Sequence, residues 1–478
     1  MPKPIVAECL NNIAEGLTRA AANCVTLANL LEDDTPDVPP VVVPPKPKPK
    51  TKRVFGINLG RPDHYGRVTI YNDALFMATR LAGTNISTGS GQFDENGDLI
   101  SGSCLTRFMT YDGIHAAGEW EHIHGGEVVG TVQTQSNVPD AFRDIIMRGD
   151  ARGDELRHTG THSKFSPDFL QRLEGVGVLR FMDMRRTNYR GHATGIDDWY
   201  RTEDAGGGRV LVSPTVRPSQ AVEIANAVGA SGIWWNFLWG EPIERIEATA
   251  EYFRDNWNGT LHYEYGNELW NWAFPDAPIK EVASGSTDYP GIHRKLTARA
   301  AACSNIVAAI DPGSIFTLSV QVVNYEVTRQ LLAGDIGNIK AVAIAPYWPH
   351  VDGSKFDGTS ADLTKKARVT LDELKTHCIW QRDNAAKLGL QCVGYEGGHH
   401  VWHKPGQPQL ATMQAWTRGN EIAEMYREFA DFWEREIGTP LCWFNDCDET
   451  CFALTEYPQH GPTARGKVVY DSFKSQGN

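Results

Sequence analysis

The spacing of apolar residues first indicates a helix at the start of the chain. Across residues 1–35, apolar side chains recur at alternating intervals of three and four, which is typical of one continuous helical seam. These positions are Leu10, Ile13, Leu17, Ala20, Cys24, Leu27 and Leu31. The predicted helix either forms a short coiled coil that oligomerises the protein or anchors it in an assembly, or it packs on its own globular domain.

Residues 36–52 are rich in proline, alternating with valine and lysine. Proline fixes φ and removes a backbone donor, so this segment is expected to run as an extended, semi-rigid linker. A helix, a stiff linker and a globular domain together are typical of a module displayed on a larger assembly.

From residue 53 onward, short continuous apolar runs alternate with helical patterns. Continuous runs favour strands buried on both faces, as in a parallel sheet. The helical patterns include one that begins at Pro167 and ends before Gly175, and longer ones at 242–257 and 361–388. The runs lie at 54–59, 178–182, 233–238, 261–265, 315–320, 342–345, 392–395 and 441–444. This alternation predicts an α/β fold, a (β/α)8 TIM barrel spanning residues 53–478.

Residues 84–165 interrupt the alternation. Asn96-Gly97 and Gly125-Gly126 are hairpin-turn pairs, and residues 127–132 alternate in polarity. We predict an antiparallel β-rich insertion between the first and second barrel strands. It either helps to hold a polymeric ligand or serves only as a structural lid.

Two glutamates stand where barrel active sites gather, at the carboxyl ends of strands. Glu268 follows the fourth run in LHYEYGNELWNW, and Glu396 follows the seventh in QCVGYEGGHHVW. A single Glu at such a place is commonly a solvated group or a helix cap. Strands 4 and 7 face each other across a barrel, however, and glycosidic cleavage uses two carboxyl groups. The pair predicts a glycoside hydrolase with Glu268 as acid/base and Glu396 as nucleophile.

The segments GNELWN at 266–271 and YEGG at 395–398 resemble the motifs of clan A glycoside hydrolases. These enzymes are (β/α)8 barrels with catalytic Glu on strands 4 and 7, and residues 165–188 further resemble a cellulase-like branch of the clan. The resemblance implies double displacement with retention of configuration and with no cofactor. An open groove lined by tryptophans would further indicate endo-acting cleavage of a polysaccharide, such as a bacterial exopolysaccharide or capsule.

The resemblance also implies roles for residues around the two glutamates. Asn267 would bind the sugar 2-hydroxyl, and Tyr347 would donate a hydrogen bond to Glu396. Arg180 would keep Glu396 ionised, although it can instead pair with Asp183. Trp443 would form a platform under the sugar. Tyr347 and Trp443 can each instead pack in the core.

The third predicted strand departs from the clan pattern. Many members carry a His there, whereas this chain has WWNFLW at 234–239, with Asn236 as the candidate substitute.

Other candidate substrate contacts are aromatic. Trp235, Trp239, Trp270 and Trp348 would line an open groove, or alternatively pack in the core. His399 is expected to contact substrate.

No metal site is expected. His399, His400 and His403 lie in one loop, and the cluster of Cys442, Cys447 and Cys451 lacks a second CxxC or a His pair.

Net charge and hydropathy argue against nucleic acid and membrane as partners. The net charge of −13 argues against nucleic acid, which requires clustered Lys and Arg. The sequence contains no run of about 18 apolar residues, so no membrane-spanning helix is expected. The first residues lack the apolar core of a signal peptide, so no signal peptide is expected.

The same features suggest where the protein acts and leave a non-catalytic function as the alternative. The helix, linker and missing signal resemble bacteriophage tail polysaccharide depolymerases, so homo-oligomer or virion assembly through residues 1–35 and location in a virion are expected. The alternative is a non-catalytic carbohydrate-binding adhesin or structural virion protein on the same barrel.

Overall fold

A computed structural model of the chain describes most residues after position 52, all within one compact unit, Pro49–Asn478. The described residues are 53–60, 79–83, 92–93, 99–101, 103–110, 118–124, 127–134, 141–148, 150–151, 154–158, 164–188, 200–206, 209–274, 276–404, 406–447, 451–456 and 461–475. The predicted N-terminal helix and the proline-rich linker lie outside them.

Eight parallel strands form a closed barrel, which confirms the predicted TIM-barrel fold. The strands are β1 Phe55–Asn58, β2 Val178–Arg180, β3 Gly232–Phe237, β4 Thr260–Tyr265, β5 Ile315–Ser319, β6 Ile339–Ile344, β7 Gln391–Gly394 and β8 Leu441–Trp443. Each apolar run of the sequence overlaps one of them. Closure is made by β8, which pairs with β1 in the register Phe55 to Leu441 and with β7 through Gly394.

Helices follow the strands and cover the outside of the barrel. They are α1 Pro167–Leu173, α2 Pro218–Ala227, α3 Ile243–Asn256, α4 Pro278–Ala283, α5 Tyr289–Ile310, α6 Tyr325–Leu331, α7 Ser360–Lys387, α8 Leu410–Arg418, α9 Asn420–Glu436 and α10 Ala464–Ser475. Proline at the first turn of α1 and a capping box at Thr359 before α7 explain why these helices begin where they do.

Side chains of the barrel strands alternate between two buried layers, because successive residues of a strand point to opposite faces. The inner layer contains Val178, Trp234, Ala341, Ala343, Val393, Tyr395 and Cys442. The outer layer packs on the helices and contains the residues between them, such as Trp235, Val342 and Trp443. Which layer a side chain joins therefore decides whether it can reach the barrel mouth.

Antiparallel strands form sheets apart from the barrel. A five-stranded sheet has the order Tyr200–Gly206, Arg209–Pro214, Thr79–Gly83, Ser103–Thr110, Ala141–Arg148. Smaller sheets are formed by Gly118–His124, Glu127–Thr134 and Asp154–His158, and by Gln92–Phe93 with Leu99–Ser101. The sequence analysis placed hairpins only before β2, whereas the large sheet also recruits the hairpin 200–214, which follows β2.

A short parallel pair, Tyr347–Asp352 with Gly398–Trp402, continues the chain beyond β6 and β7. Within the described ranges, no helix has the length and apolar character to cross a membrane.

Candidate active site

A tight turn at the end of β4 presents Glu268. Gly266 has φ 74° and lies so close to Leu269 that a Cβ there would stand 2.5 Å from Leu269 Cδ2. Glu268 itself has φ 44°, a left-handed conformation that costs a residue with a Cβ about 1–3 kcal/mol. Such strain is retained chiefly at functional positions, since folding alone would favour glycine here.

The Glu268 carboxyl is 8% exposed and is held at both oxygens. The Tyr395 hydroxyl donates to Oε1, and Asn271 Nδ2 donates to Oε2 at 2.6 Å. Burial, followed by the nearby Glu396 carboxylate, raises the pKa of Glu268 to about 7. The group is therefore largely protonated in mildly acidic solution.

Glu396 follows β7 and has different partners. Arg180 Nη1 donates to its Oε1 at 2.8 Å, and the Tyr347 hydroxyl donates to its Oε2 at 2.8 Å. Burial raises the pKa of Glu396, while the Arg180 cation and the Tyr347 hydrogen bond oppose that rise. Because the direct cation contact belongs to Glu396 and not to Glu268, Glu396 is favoured in the ionised form over Glu268.

Arg180 is fully buried at the end of β2 and joins four side chains. Nη1 donates to Asn58 Oδ1 at 2.9 Å as well as to Glu396, and Nη2 donates to Glu264 Oε2 at 2.9 Å and to Asn267 Oδ1 at 2.8 Å. One cation thus faces two carboxylates, one at the mouth and one inside the barrel.

Asn236 and Asn267 both belong to this network. Asn236 Nδ2 donates to Glu264 Oε2 and to the Gly266 carbonyl, each at 2.9 Å, so Asn236 supports the turn before Glu268. Asn267 Nδ2 donates to Asn188 Oδ1 at 3.1 Å. The structure therefore brings together Glu268, Glu396, Arg180, Tyr347, Asn236 and Asn267 at the carboxyl end of the barrel.

Trp235 and Trp443 do not join this group. Trp235 precedes the inward-facing Asn236 and so points outward, with its ring 5.2 Å from that of Phe253 on α3. Trp443 follows the inward-facing Cys442 and stacks on Tyr426 of α9 at 5.0 Å. Strand alternation thus directs both rings away from the mouth, and the predicted sugar platform does not face the glutamates.

Trp239 and Trp348 also lie in the outer core. Trp239 Nε1 donates to Glu281 of α4 at 2.9 Å, and Trp348 is fully buried against Phe429 of α9 with ring centroids 4.8 Å apart. Trp270 is half-buried and packs on the same outer core. A groove lined by these tryptophans is therefore absent from the described residues.

His399 is buried on the far side of the strand that follows Glu396. Its Nδ1 accepts from the Val401 amide at 3.2 Å, and its ring lies 5.8 Å from Phe452. Burial, followed by the Arg465 charge, holds its pKa well below the usual value. The ring of the next residue, His400, lies 5.5 Å from that of Tyr347, which donates a hydrogen bond to Glu396.

Among the residues that the structure describes, no group of three or more His, Cys, Asp or Glu is arranged to hold a metal ion. Cys442 and Cys447 are buried, and Cys451 is half-buried.

Sequence reasoning missed Glu264, Asn58, Tyr395, Asn188 and Asn271. Glu264 had a readable signal, because polar residues two apart on β4, at 262 and 264, mark the inward face of a strand. Asn58, Tyr395 and Asn188 make contacts between distant segments that spacing does not indicate. Asn271 makes a local contact, since it lies three residues after Glu268.

Comparisons with known proteins add limited information. No family model and no curated protein matches the chain. Solved structures similar to it include a GH51 arabinofuranosidase from Xanthomonas axonopodis pv. citri, with 16% identity, TM-score 0.41 and coverage of 62% of this chain and 63% of that one. Another is a 4-O-alpha-L-rhamnosyl-beta-D-glucuronidase from Fusarium oxysporum 12S, with 14% identity, TM-score 0.42 and coverage of 64% and 63%.

A third is a beta-glucuronidase from Bacteroides uniformis, with 10% identity, TM-score 0.37 and coverage of 84% and 50%. The chain thus spans less than two thirds of the length of each of these proteins. At these identities and TM-scores, an assignment of function must come from the residues of the site.

Proposed function

We propose that this protein is a retaining glycoside hydrolase in which Glu268 is the acid/base and Glu396 the nucleophile. The observation that carries the proposal is that two buried carboxyl groups at one barrel mouth have different hydrogen-bond partners and different electrostatic surroundings. Burial and a neighbouring charge raise the pKa of Glu268 to about 7, whereas Arg180 and Tyr347 donate hydrogen bonds directly to Glu396. Double displacement needs this division into one proton donor and one ionised carboxylate.

In the first step, a Glu396 oxygen forms a bond to the anomeric carbon while the bond to the leaving oxygen breaks. Glu268 gives its proton to that oxygen, so the leaving sugar departs as a neutral alcohol. In the second step, Glu268 takes a proton from water, whose oxygen bonds to the anomeric carbon as the Glu396 ester bond breaks. The configuration at the anomeric carbon is inverted twice and therefore retained.

The proposed substrate is a polysaccharide cleaved within its chain, such as a bacterial exopolysaccharide or capsule. In support, exposed aromatic side chains suited to sugar faces occur at the carboxyl rim: Trp272 follows Glu268 in the same loop, and Tyr289 begins α5. Their rings are 6.3 Å apart, and they are 43% and 51% exposed. Presentation of the enzyme by a bacteriophage virion is part of the same proposal, and detection of the chain in purified virions would test it.

The test of activity is reducing-sugar release from a panel of bacterial polysaccharides by the wild type, Glu268→Gln and Glu396→Gln. Each variant is expected to lose at least about 100-fold in rate. Proton NMR of the first product should show the anomer of the substrate, and appearance of the opposite anomer would exclude double displacement. Tight polysaccharide binding without any release by the wild type would favour the carbohydrate-binding adhesin instead.

A further inference from the structure

The two hydrogen-bond donors on Glu268 differ in what they can do. Tyr395 donates through a hydroxyl, which can also accept, whereas Asn271 donates through an amide nitrogen, which cannot. The two therefore respond differently when Glu268 gains or loses its proton.

The orientation of the Asn271 amide is fixed from the other side. The backbone amide of Ala273 donates to Asn271 Oδ1 at 2.9 Å, so the oxygen is committed and Nδ2 must face Glu268. A turned amide would leave the Ala273 amide facing an NH2 group. Asn271 consequently favours the ionised carboxylate, since an amide nitrogen cannot accept the proton of a neutral acid.

Tyr395 reaches Glu268 from the opposite wall. It immediately precedes Glu396 at the end of β7, is fully buried, and lies under Arg180 with the guanidinium carbon 5.0 Å from the ring centroid. Its hydroxyl can remain bonded to Glu268 in either protonation state by reversing the direction of the hydrogen bond.

The remaining ionisable groups that act on Glu268 are Glu396, Arg180 and Tyr347. The Glu396 carboxylate opposes ionisation of Glu268, and the Arg180 cation favours it. The Tyr347 hydroxyl donates its hydrogen bond to Glu396 and not to Glu268. Tyr395 and Asn271 are the two groups that hold the carboxyl itself.

We propose that Tyr395 and Asn271 form a clamp that positions the Glu268 carboxyl and stabilises its ionised form, the form that must accept a proton from water in the second step. This deepens the proposed function and rests on it. Both are positioning residues. Asn271 acts only as a hydrogen-bond donor to Glu268, whereas the Tyr395 hydroxyl can donate to the ionised carboxylate or accept from the protonated acid.

The experiment is a titration of the Glu268 carboxyl carbon by NMR in protein labelled with 13C-glutamate, with the resonance assigned by its loss in Glu268→Gln. Wild type is expected to titrate near the pKa of about 7. Tyr395→Phe and Asn271→Ala should each move the midpoint upward by about one pH unit, because each removes a donor to the charged form. Asn271→Asp should move it further, because it adds a second negative charge.

Tyr426→Phe is the matched control. Its hydroxyl is also buried and accepts from the His399 amide at 2.9 Å, but it does not contact Glu268. It should lower stability without moving the midpoint. An unchanged midpoint in Tyr395→Phe and Asn271→Ala would overturn the clamp.

The titration needs no substrate, so the proposal of the clamp and the proposal of hydrolase activity can be refuted independently. Hydrolysis with unshifted midpoints would refute the clamp alone, and shifted midpoints in a protein that cleaves no glycan would refute the hydrolase alone. With activity present, the alkaline limb of the pH–rate profile should move upward with the midpoint, a change that a purely structural role for Tyr395 would not produce.

Discussion

Replacing Arg180 by methionine should reveal how the barrel interior balances its charges. Arg180 is fully buried and is the cation that bridges Glu264 inside the barrel and Glu396 at the mouth. Methionine keeps the unbranched chain as far as the ε position and carries no charge. Arg180→Met therefore removes the cation and leaves two buried carboxylates without their counter-charge.

The magnitude follows from the contacts that are lost. Removing one partner of a buried ion pair costs about 3–5 kcal/mol, because the other charge stays desolvated. We expect a loss in that range, together with loss of activity, since Glu396 would then bind a proton and cease to be a nucleophile.

A second substitution tests the cause. In the wild type, Glu264→Gln should lower the free energy of unfolding, because it removes an ion-pair partner of Arg180. In the Arg180→Met background, the same change should raise it by about 1–3 kcal/mol, because it removes an uncompensated charge. Activity should stay absent in the double variant, since Glu396 still lacks its cation.

The assay is urea unfolding at pH 8, followed by tryptophan fluorescence, for the four members of this cycle. The reasoning predicts opposite signs for Glu264→Gln in the two backgrounds. An effect of the same sign and size in both would mean that the Arg180 side chain acts through packing alone, and the charge argument would be refuted.

Further outcomes can be measured independently. The rate of hydrolysis should fall above about pH 7, where Glu268 loses the proton that it must donate, and a rate that keeps rising to pH 9 would contradict the raised pKa. Glu268→Gly should abolish activity yet raise the free energy of unfolding by about 1 kcal/mol relative to Glu268→Ala, because glycine adopts φ 44° without strain. Gly398→Ala should lower the melting temperature, since its Cβ would lie 2.5 Å from the Tyr426 hydroxyl, and Tyr426→Phe should restore part of the loss. Trp272→Ala should slow cleavage of the polymer more than that of a small aryl glycoside, and equal slowing of both would remove this ring from polymer binding.

The barrel was predictable because its signal is local. Continuous apolar runs mark strands buried on both faces, and each of the eight runs overlaps a barrel strand. The positions of Glu268 and Glu396 at strand ends follow from the same runs, because all parallel strands end at one face.

The orientation of the tryptophan side chains was not predicted from the apolar runs. The prediction gave both Trp235 and Asn236 as candidate substrate contacts, with core packing as the alternative for Trp235, whereas successive strand residues face opposite layers. Applying the alternation from Asn236 would have placed Trp235 among the helices. The contacts of Asn58 and Tyr395 with residues more than 100 positions away required the closed barrel itself.

The five-stranded antiparallel sheet has a practical consequence for engineering. Its central strand, Thr79–Gly83, pairs on one side with Ser103–Thr110 and on the other with Arg209–Pro214. The sheet therefore combines segments that precede β2 in the sequence with segments that follow it. A contiguous deletion of residues 79–158 would leave the 200–214 hairpin with a bare edge, open to pairing with another molecule. Grafting this sheet onto a different barrel would require two separate insertions, one between β1 and α1 and one between β2 and α2.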